Sequence, residues 1–226
     1  MILLARKNRP IFPDDYVEEK ADEYNNSIWM ERNQKKSTLL SLKYLSDEKL
    51  RDNEENSLKT EDSILFLDLG CGSGFSSEIL IEKGYKVIGV DILMDMLLKV
   101  REKKKNYHDL QDIELILADI NYLPFKNEKI DYIISISAYN FVTHKVRNLR
   151  SKIEILNNTA KSLNNILKRW GRMVIEFYPE SEMELELFNK SFVKNDFEGF
   201  MIKGNPSQQA GQTFLILKKK HKNGNM

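Results

Sequence analysis

Residues 64–74 read Ile64-Leu65-Phe66-Leu67-Asp68-Leu69-Gly70-Cys71-Gly72-Ser73-Gly74. A four-residue apolar run enters a turn with glycine at every second position, and a helix-like stretch follows from Phe75 to Lys83. That is the pattern of a buried strand opening through a tight turn into a helix. Glycine has no Cβ, so the backbone of such a turn can approach a ligand closely. A second strand-like run, Tyr85-Lys86-Val87-Ile88-Gly89-Val90, ends on Asp91, where a carboxylate can take the two hydroxyls of a ribose. A nucleoside-containing ligand is implied.

Two ligand classes use this layout. A dinucleotide turn has the pattern Gly-x-Gly-x-x-Gly and offers a helix N-terminus to a pyrophosphate. Here the glycines are Gly70, Gly72 and Gly74, Phe75 stands where the last fingerprint glycine belongs, and Asp68 precedes the turn. A negative charge there repels a pyrophosphate and suits an ammonium. S-adenosylmethionine (SAM) carries an ammonium and a sulfonium and no phosphate, so the residues favour SAM over NAD.

Working outward, strands are predicted at 64–68, 86–90, 113–117, 131–137, 172–178, 199–203 and 213–217. Helices are predicted at 74–83, 93–105, 150–168 and 182–195, and one or two more between Tyr16 and Leu45. Alternation of strand and helix argues an α/β fold with a doubly wound, mostly parallel sheet. The last two strands are joined by a loop too short for a parallel crossover, so they form an antiparallel hairpin. The predicted organisation is a helical N-terminal cap (1–45), a polar acidic linker (46–63), a SAM-binding domain (64–217) and a basic tail (218–226). A seven-stranded sheet ending in a reversed hairpin is the class I methyltransferase architecture, with its Rossmann-like core.

In such sheets ligands bind at the carboxyl ends of the strands, beside the point where strand order reverses. Asp68, Asp91 and Asp119 follow the first three strands, and Ser135 and Ser137 end the fourth. The cofactor set is therefore Asp68, Gly70, Cys71, Gly72, Gly74, Asp91, Ile92, Asp119, Ile120 and Ser135. Asp119 would accept the adenine amine between apolar plates from Ile92 and Ile120, or else serve as a helix N-cap. After the fourth strand comes Ser135-Ile136-Ser137-Ala138-Tyr139-Asn140-Phe141, without an acid or histidine to act as base. An acceptor atom with a free lone pair needs no base, only alignment with methyl and sulfur. Ser137, Tyr139, Asn140 and Tyr178 are the acceptor-side candidates; Tyr139 and Phe141 either stack a flat base or belong to the core.

Composition adds exclusions. The chain has 226 residues and a net charge of +1, so any nucleic-acid contact rests on local patches: Arg6-Lys7-Arg9, Lys103 to Lys105, Lys145 to Lys152 with Arg147 and Arg150, and Lys218 to Lys222. The Lys103 to Lys105 run reads mainly as the solvated end of a helix. The single cysteine, Cys71, excludes an intrachain disulfide, and His108, His144 and His221 lack metal-ligand spacing; no metal is expected. No apolar run reaches the roughly 20 residues of a spanning helix, and the short start Met1 to Ala5 does not fit a signal peptide. A cytosolic address without a membrane is the expectation.

The segments resemble those of the small-subunit rRNA (guanine-N7) methyltransferase family. The resemblance is carried by Leu67 to Ser76, Gly89-Val90-Asp91-Ile92, Leu123-Pro124-Phe125, Ile134-Ser135-Ile136-Ser137-Ala138, Phe177-Tyr178-Pro179 and the closing region from Asn205-Pro206 to Leu217. The stretch Phe12 to Tyr24 is similar to that family's substrate-side cap. The chain departs from the family at Asn140 and Phe141, where glutamine and tryptophan are usual, in its short basic tail, and in the polar insert 47–62. The resemblance implies SAM-dependent methylation of guanine N7 in small-subunit rRNA during ribosome biogenesis. It also implies pairing with a small zinc-binding activator protein, in the nucleus and cytoplasm of a eukaryote or the cytoplasm of an archaeon. The strand Glu114-Leu115-Ile116-Leu117 would lie at the sheet edge and could accept such a partner, or be buried in the monomer. A small-molecule methyltransferase and a SAM-binding assembly scaffold are the competing readings.

Overall fold

A computed structural model describes residues 11–50, 64–106, 113–204 and 211–220. The described chain begins with two helices, α1 (Glu19–Asn25) and α2 (Ile28–Leu45). Then come β1 (Leu65–Leu69), α3 (Phe75–Glu82), β2 (Lys86–Asp91), α4 (Met94–Asn106), β3 (Ile113–Leu117), β4 (Ile130–Ile136), α5 (Leu149–Ile166), β5 (Leu167–Phe177), α6 (Glu182–Lys194), β6 (Phe197–Lys203) and β7 (Thr213–Lys219). Short 3-10 turns sit at Glu48–Leu50 and Tyr139–Thr143.

The seven strands form one sheet in the order β3-β2-β1-β4-β5-β7-β6. Strands β1 to β5 pair in parallel, and β7 runs antiparallel between β5 and β6. The order reverses between β1 and β4, so the tips of these strands open a crevice there. The central strands are apolar on both faces, as helices on both sides require. One face packs Leu67, Leu69, Ile133, Met173 and Ile175 against Leu156, Ala160 and Leu163 of α5 and Phe188 and Phe192 of α6. The other packs Phe66, Ile134, Val174 and Ile216 against Leu45, Leu80 and Val100.

Helix boundaries follow local chemistry. The Asn148 side chain accepts a hydrogen bond from the Ser151 N–H at the start of α5, and Ser181 does the same for the Glu184 N–H of α6. Buried Leu156, Ala160, Leu163 and Ile166 recur at helical spacing along α5.

Three boundaries differ from the sequence expectation. Helix α5 passes straight into β5 at Leu167, five residues before the predicted strand start. Lys168 Nζ reaches Asp131 Oδ2 at 2.7 Å, which ties this irregular first part of β5 to β4. The polar linker begins as structure, because Leu50 is buried in the core beside Leu45. The basic tail begins as strand: Lys218 pairs in register with Arg172 and Glu198 in β7. Nor is the cap a separate layer throughout. Arg172 Nη1 donates to the Leu45 carbonyl at 2.7 Å, fastening the end of α2 to β5. The linker beyond Leu50, Arg6-Lys7-Arg9, His108, the loop at Asn205-Pro206 and the tail from His221 lie outside the described residues.

Candidate functional site

The glycine turn is built by backbone demands. Gly70, Gly72 and Gly74 have φ of 71°, 54° and 89°, the left-handed region that side chains avoid. A Cβ at Gly70 would stand 2.2 Å from the Ala138 Cβ, so the tips of β1 and β4 meet only because residue 70 has no side chain. The N–H groups of Gly70 and Cys71 both donate to the Val90 carbonyl, holding the turn against β2. Lys103 supports it from α4: its Nζ donates to the Ser73 carbonyl at 3.0 Å and to Glu78 at 2.8 Å, over the Phe75 ring. The solvated-helix-end expectation is therefore wrong for Lys103. The neighbouring Lys104 is also engaged, with the Ile113 carbonyl.

Asp91, at the tip of β2, accepts the Gly72 N–H on one carboxylate oxygen and the Leu93 N–H on the other, each at 2.9 Å. Burial raises its pKa, opposed by those backbone bonds. Each carboxylate oxygen has a further lone pair, enough to accept a ribose hydroxyl. Asp119, past the tip of β3, accepts the Asn121 N–H at 2.9 Å and faces Lys145 at 3.8 Å.

These groups line a cleft that opens to solvent at the strand tips. Of the predicted cofactor set, Gly70, Cys71, Gly72, Asp91, Ile92, Asp119 and Ile120 line it. Cys71 is a filler: its Sγ packs where a Cβ on Gly89 would fall, and burial pushes its thiol pKa well up. Gly74 lies just behind, heading α3.

Two predicted cofactor residues lie beneath the cleft rather than on its wall. Ser135 is buried, its hydroxyl donating to the Leu69 carbonyl at 2.9 Å, so it braces β4 against β1. Asp68 is 0% exposed and accepts the hydroxyls of Ser76 and Ser77 on one oxygen, both at 2.6 Å. Its other oxygen, Oδ1, is buried without a hydrogen-bond partner. Desolvation, only partly offset by the two hydroxyls, pushes its pKa up to about 6.

The acceptor-side expectations divide. Ser137 lines the cleft at φ 58°, its hydroxyl donating to Glu176 Oε2 at 2.6 Å. Phe141 also lines it. Tyr139 does not: it is 0% exposed and packs against Phe188 and Phe192. The reason is local geometry. The 3-10 turn brings residues three apart together, so Tyr139 enters the core, Val142 lies between core and cleft, and Phe141 faces the cleft. Asn140 and Tyr178 are likewise not on the cleft wall. Asn140 clasps the Tyr178 backbone by two hydrogen bonds, and the Tyr178 hydroxyl donates to Glu176 at 3.0 Å.

Glu176 itself was not anticipated. It is fully buried in β5 and accepts from Ser37, Ser137, Tyr178 and Gln212, joining the cap, two strand tips and the entry to β7. A lone glutamate in the apolar run Met173 to Phe177 was the available signal. The cap contribution was only partly foreseen: Phe12, Tyr16, Tyr24 and Gln34 all line the cleft. Phe12 stacks on Phe141 at 4.7 Å and meets the His144 ring edge-on at 4.6 Å. Tyr24 lies 6.1 Å from the Phe75 ring, over the glycine turn.

The donor set fits SAM on three counts. Asp91 can take the ribose, an orphaned buried carboxylate oxygen on Asp68 suits a cation, and among the described residues no lysine or arginine lines the cleft to attract a pyrophosphate. Among the described residues no group of acidic, histidine or cysteine side chains could hold a metal ion, and no helix is long and apolar enough to cross a membrane.

Residues 66–159, which carry β1 to β4 and most of the cleft, match a family described as a methyltransferase domain. A probable 18S rRNA (guanine-N(7))-methyltransferase of Dictyostelium discoideum is 30% identical over 70% of this chain and 54% of its own length. An 18S rRNA (guanine-N(7))-methyltransferase of Schizosaccharomyces pombe is 31% identical over 71% of this chain and 59% of its own. The chain thus spans a little over half the length of the curated relatives it matches. Among solved structures, a geranyl diphosphate C-methyltransferase of Streptomyces coelicolor, in complex with S-adenosyl-L-homocysteine, superposes with a TM-score of 0.66 at 10% identity, covering 83% of this chain and 77% of that one. The chain has the class I methyltransferase fold, residues 66–159 match a methyltransferase domain, and the curated relatives it is similar to are named 18S rRNA (guanine-N(7))-methyltransferases.

Proposed function

We propose that this chain uses SAM to methylate N7 of a guanine in small-subunit rRNA. The observation that carries the reading is the cleft at the strand-order reversal. It sets a glycine turn and the Asp91 carboxylate, both inside the matched methyltransferase domain, beside an aromatic wall. When bound, SAM supplies an electrophilic methyl on a sulfonium. The chain then has to hold, orient and exclude water. Asp91 takes the ribose hydroxyls, Asp119 the adenine amine between Ile92 and Ile120, and the turn Gly70–Gly74 lets the backbone close on the ligand. Asp68 lies beneath with an oxygen free for the ammonium. Guanine N7 has its own lone pair, so no side chain need remove a proton. The aromatic group of Phe141, Phe12 and His144 offers a stacking surface for an unstacked base, with Ser137 beside it. Exposed Arg147 and Arg150, close in sequence to His144, are placed to meet phosphates.

The same reading includes a protein partner, a small zinc-binding activator. Its support is β3, which among the described residues is an edge strand paired only with β2, where Leu117 is 50% exposed and Met94 and Leu98 of α4 stay partly in solvent. An unpaired edge with apolar neighbours invites strand addition. An address in nucleus and cytoplasm would follow the substrate.

The test is transfer from labelled SAM to total RNA, protein and small molecules, with Asp91→Ala as control. Label in small-subunit rRNA as 7-methylguanine, lost in Asp91→Ala, is expected. Label confined to small molecules or protein would refute the RNA reading.

A further inference from the structure

We propose that the N-terminal cap forms the anion end of the cofactor site, with the Tyr24 hydroxyl, held by Gln34, taking the carboxylate of the methionyl arm. The inference rests on the SAM reading and adds a site to it. A SAM molecule oriented with its ribose on Asp91 and its adenine near Asp119 extends its other end over the glycine turn. That end bears a carboxylate. A carboxylate moved out of water needs donors, and desolvation without them is costly. Yet among the described residues the cleft wall contains no lysine or arginine. Lys103, the cation beneath the turn, is committed to Ser73 and Glu78.

What faces the turn from above is the cap. The Tyr24 ring lies against Phe75, the residue that follows the last glycine. Gln34 Nε2 donates to the Tyr24 hydroxyl at 3.0 Å. The phenol oxygen thus has its donor, and its own hydrogen meets no acceptor among the described residues. A hydroxyl arranged this way can only give. Burial, with Tyr16, Asp91 and Glu176 nearby, holds the phenol protonated across the physiological range. The second N–H of the Gln34 amide is available to the same anion. Gln34 stands on α2, one turn before Ser37, which bonds buried Glu176. The clasp is therefore mounted on a helix fixed to the sheet, not on a free strand of chain. Neutral donors also suit a site rich in carboxylates, because a cation here would pair with Asp91 or Glu176 instead of the ligand.

Calorimetry on the full chain separates the parts. S-adenosylhomocysteine has the carboxylate-bearing arm; 5′-methylthioadenosine has the same adenosine and sulfur without it. Tyr24→Phe keeps the ring and its contacts. It is expected to weaken S-adenosylhomocysteine roughly ten- to a hundredfold, the scale of a lost hydrogen bond to a charged group, and to leave 5′-methylthioadenosine unchanged. Equal loss for both ligands, or no loss for the first, overturns the clasp while the SAM reading stands. If the unsubstituted chain binds neither ligand, the SAM reading falls and this inference with it.

Discussion

Replacing Asp68 with asparagine should make the protein more stable relative to wild type as the pH rises, while costing it cofactor. Asp68 is fully buried under the glycine turn, and its pKa is pushed from an ordinary 3.8 up to about 6, chiefly by desolvation. The folded-state value lies above the unfolded one. Its contribution to stability is therefore at its most favourable below pH 3.8 and is lost as the pH rises through about 6. At about 1.4 kcal/mol per pKa unit, that difference corresponds to about 3 kcal/mol by pH 7. Asparagine is nearly isosteric, and its carbonyl oxygen can still accept from Ser76 and Ser77, but it carries no charge to desolvate. Denaturant unfolding of wild type and Asp68→Asn at pH 4.5, 6 and 7.5 reads the term, with only nearby Asp91 coupled to the charge that is removed. The variant should gain about 2 kcal/mol on wild type across that range, with SAM affinity reduced most at pH 7.5, where the Asp68 carboxyl is ionised. A difference independent of pH would refute the argument that Asp68 is held desolvated.

Two further contrasts follow from the structure. Gly70→Ala should unfold the turn or forbid soluble expression, since its Cβ falls on the Ala138 Cβ, whereas Gly72→Ala meets nothing within 4 Å. Gly72→Ala should cost only about 1–2 kcal/mol for its left-handed φ, measured by thermal melting. Tyr139→Phe should leave methyl transfer unchanged and raise stability by about 1–3 kcal/mol, because the tyrosine hydroxyl is buried without a hydrogen-bond partner; a large loss of activity with an unaltered melting curve would return Tyr139 to the acceptor site.

The first four strands were legible because they are short apolar runs, closed by Gly70, Asp91, Asp119 and Ser137. Those end residues mark where a strand leaves the core, so Asp91 and Asp119 could be placed at the cleft from spacing alone. Asp68 and Ser135 precede the strand ends by a residue, and period two turned both into the interior. Tyr139 and Phe141 share one face if the chain is extended. The 3-10 turn separates them, and no residue between them signals that change of period. Lys103 looked like a solvated helix end because its partners, Ser73 and Glu78, lie about 25 to 30 residues away. The cap residues were hidden for the same reason: what Tyr24 and Gln34 face depends on how α2 packs against β5, and the Arg172 bond that fixes it crosses 127 positions.

The charges at the strand tips form one pattern. Asp68, Asp91 and Glu176 are buried, Asp119 is half-buried, and among the described residues no lysine or arginine stands on the wall of the cleft beside them. Carboxylates removed from water without cationic partners destabilise the fold, and the raised pKa values of Asp68 and Asp91 carry the mark of that cost. A ligand bearing two positive groups relieves it; a pyrophosphate would add to it. The same field acts on the product. Loss of the methyl turns the sulfonium into a neutral thioether, removing a cation from a site short of cations. On the proposed reading the spent cofactor should therefore be held less firmly than the fresh one by the same carboxylates, which calorimetry of the two forms would show as a larger dissociation constant for the product.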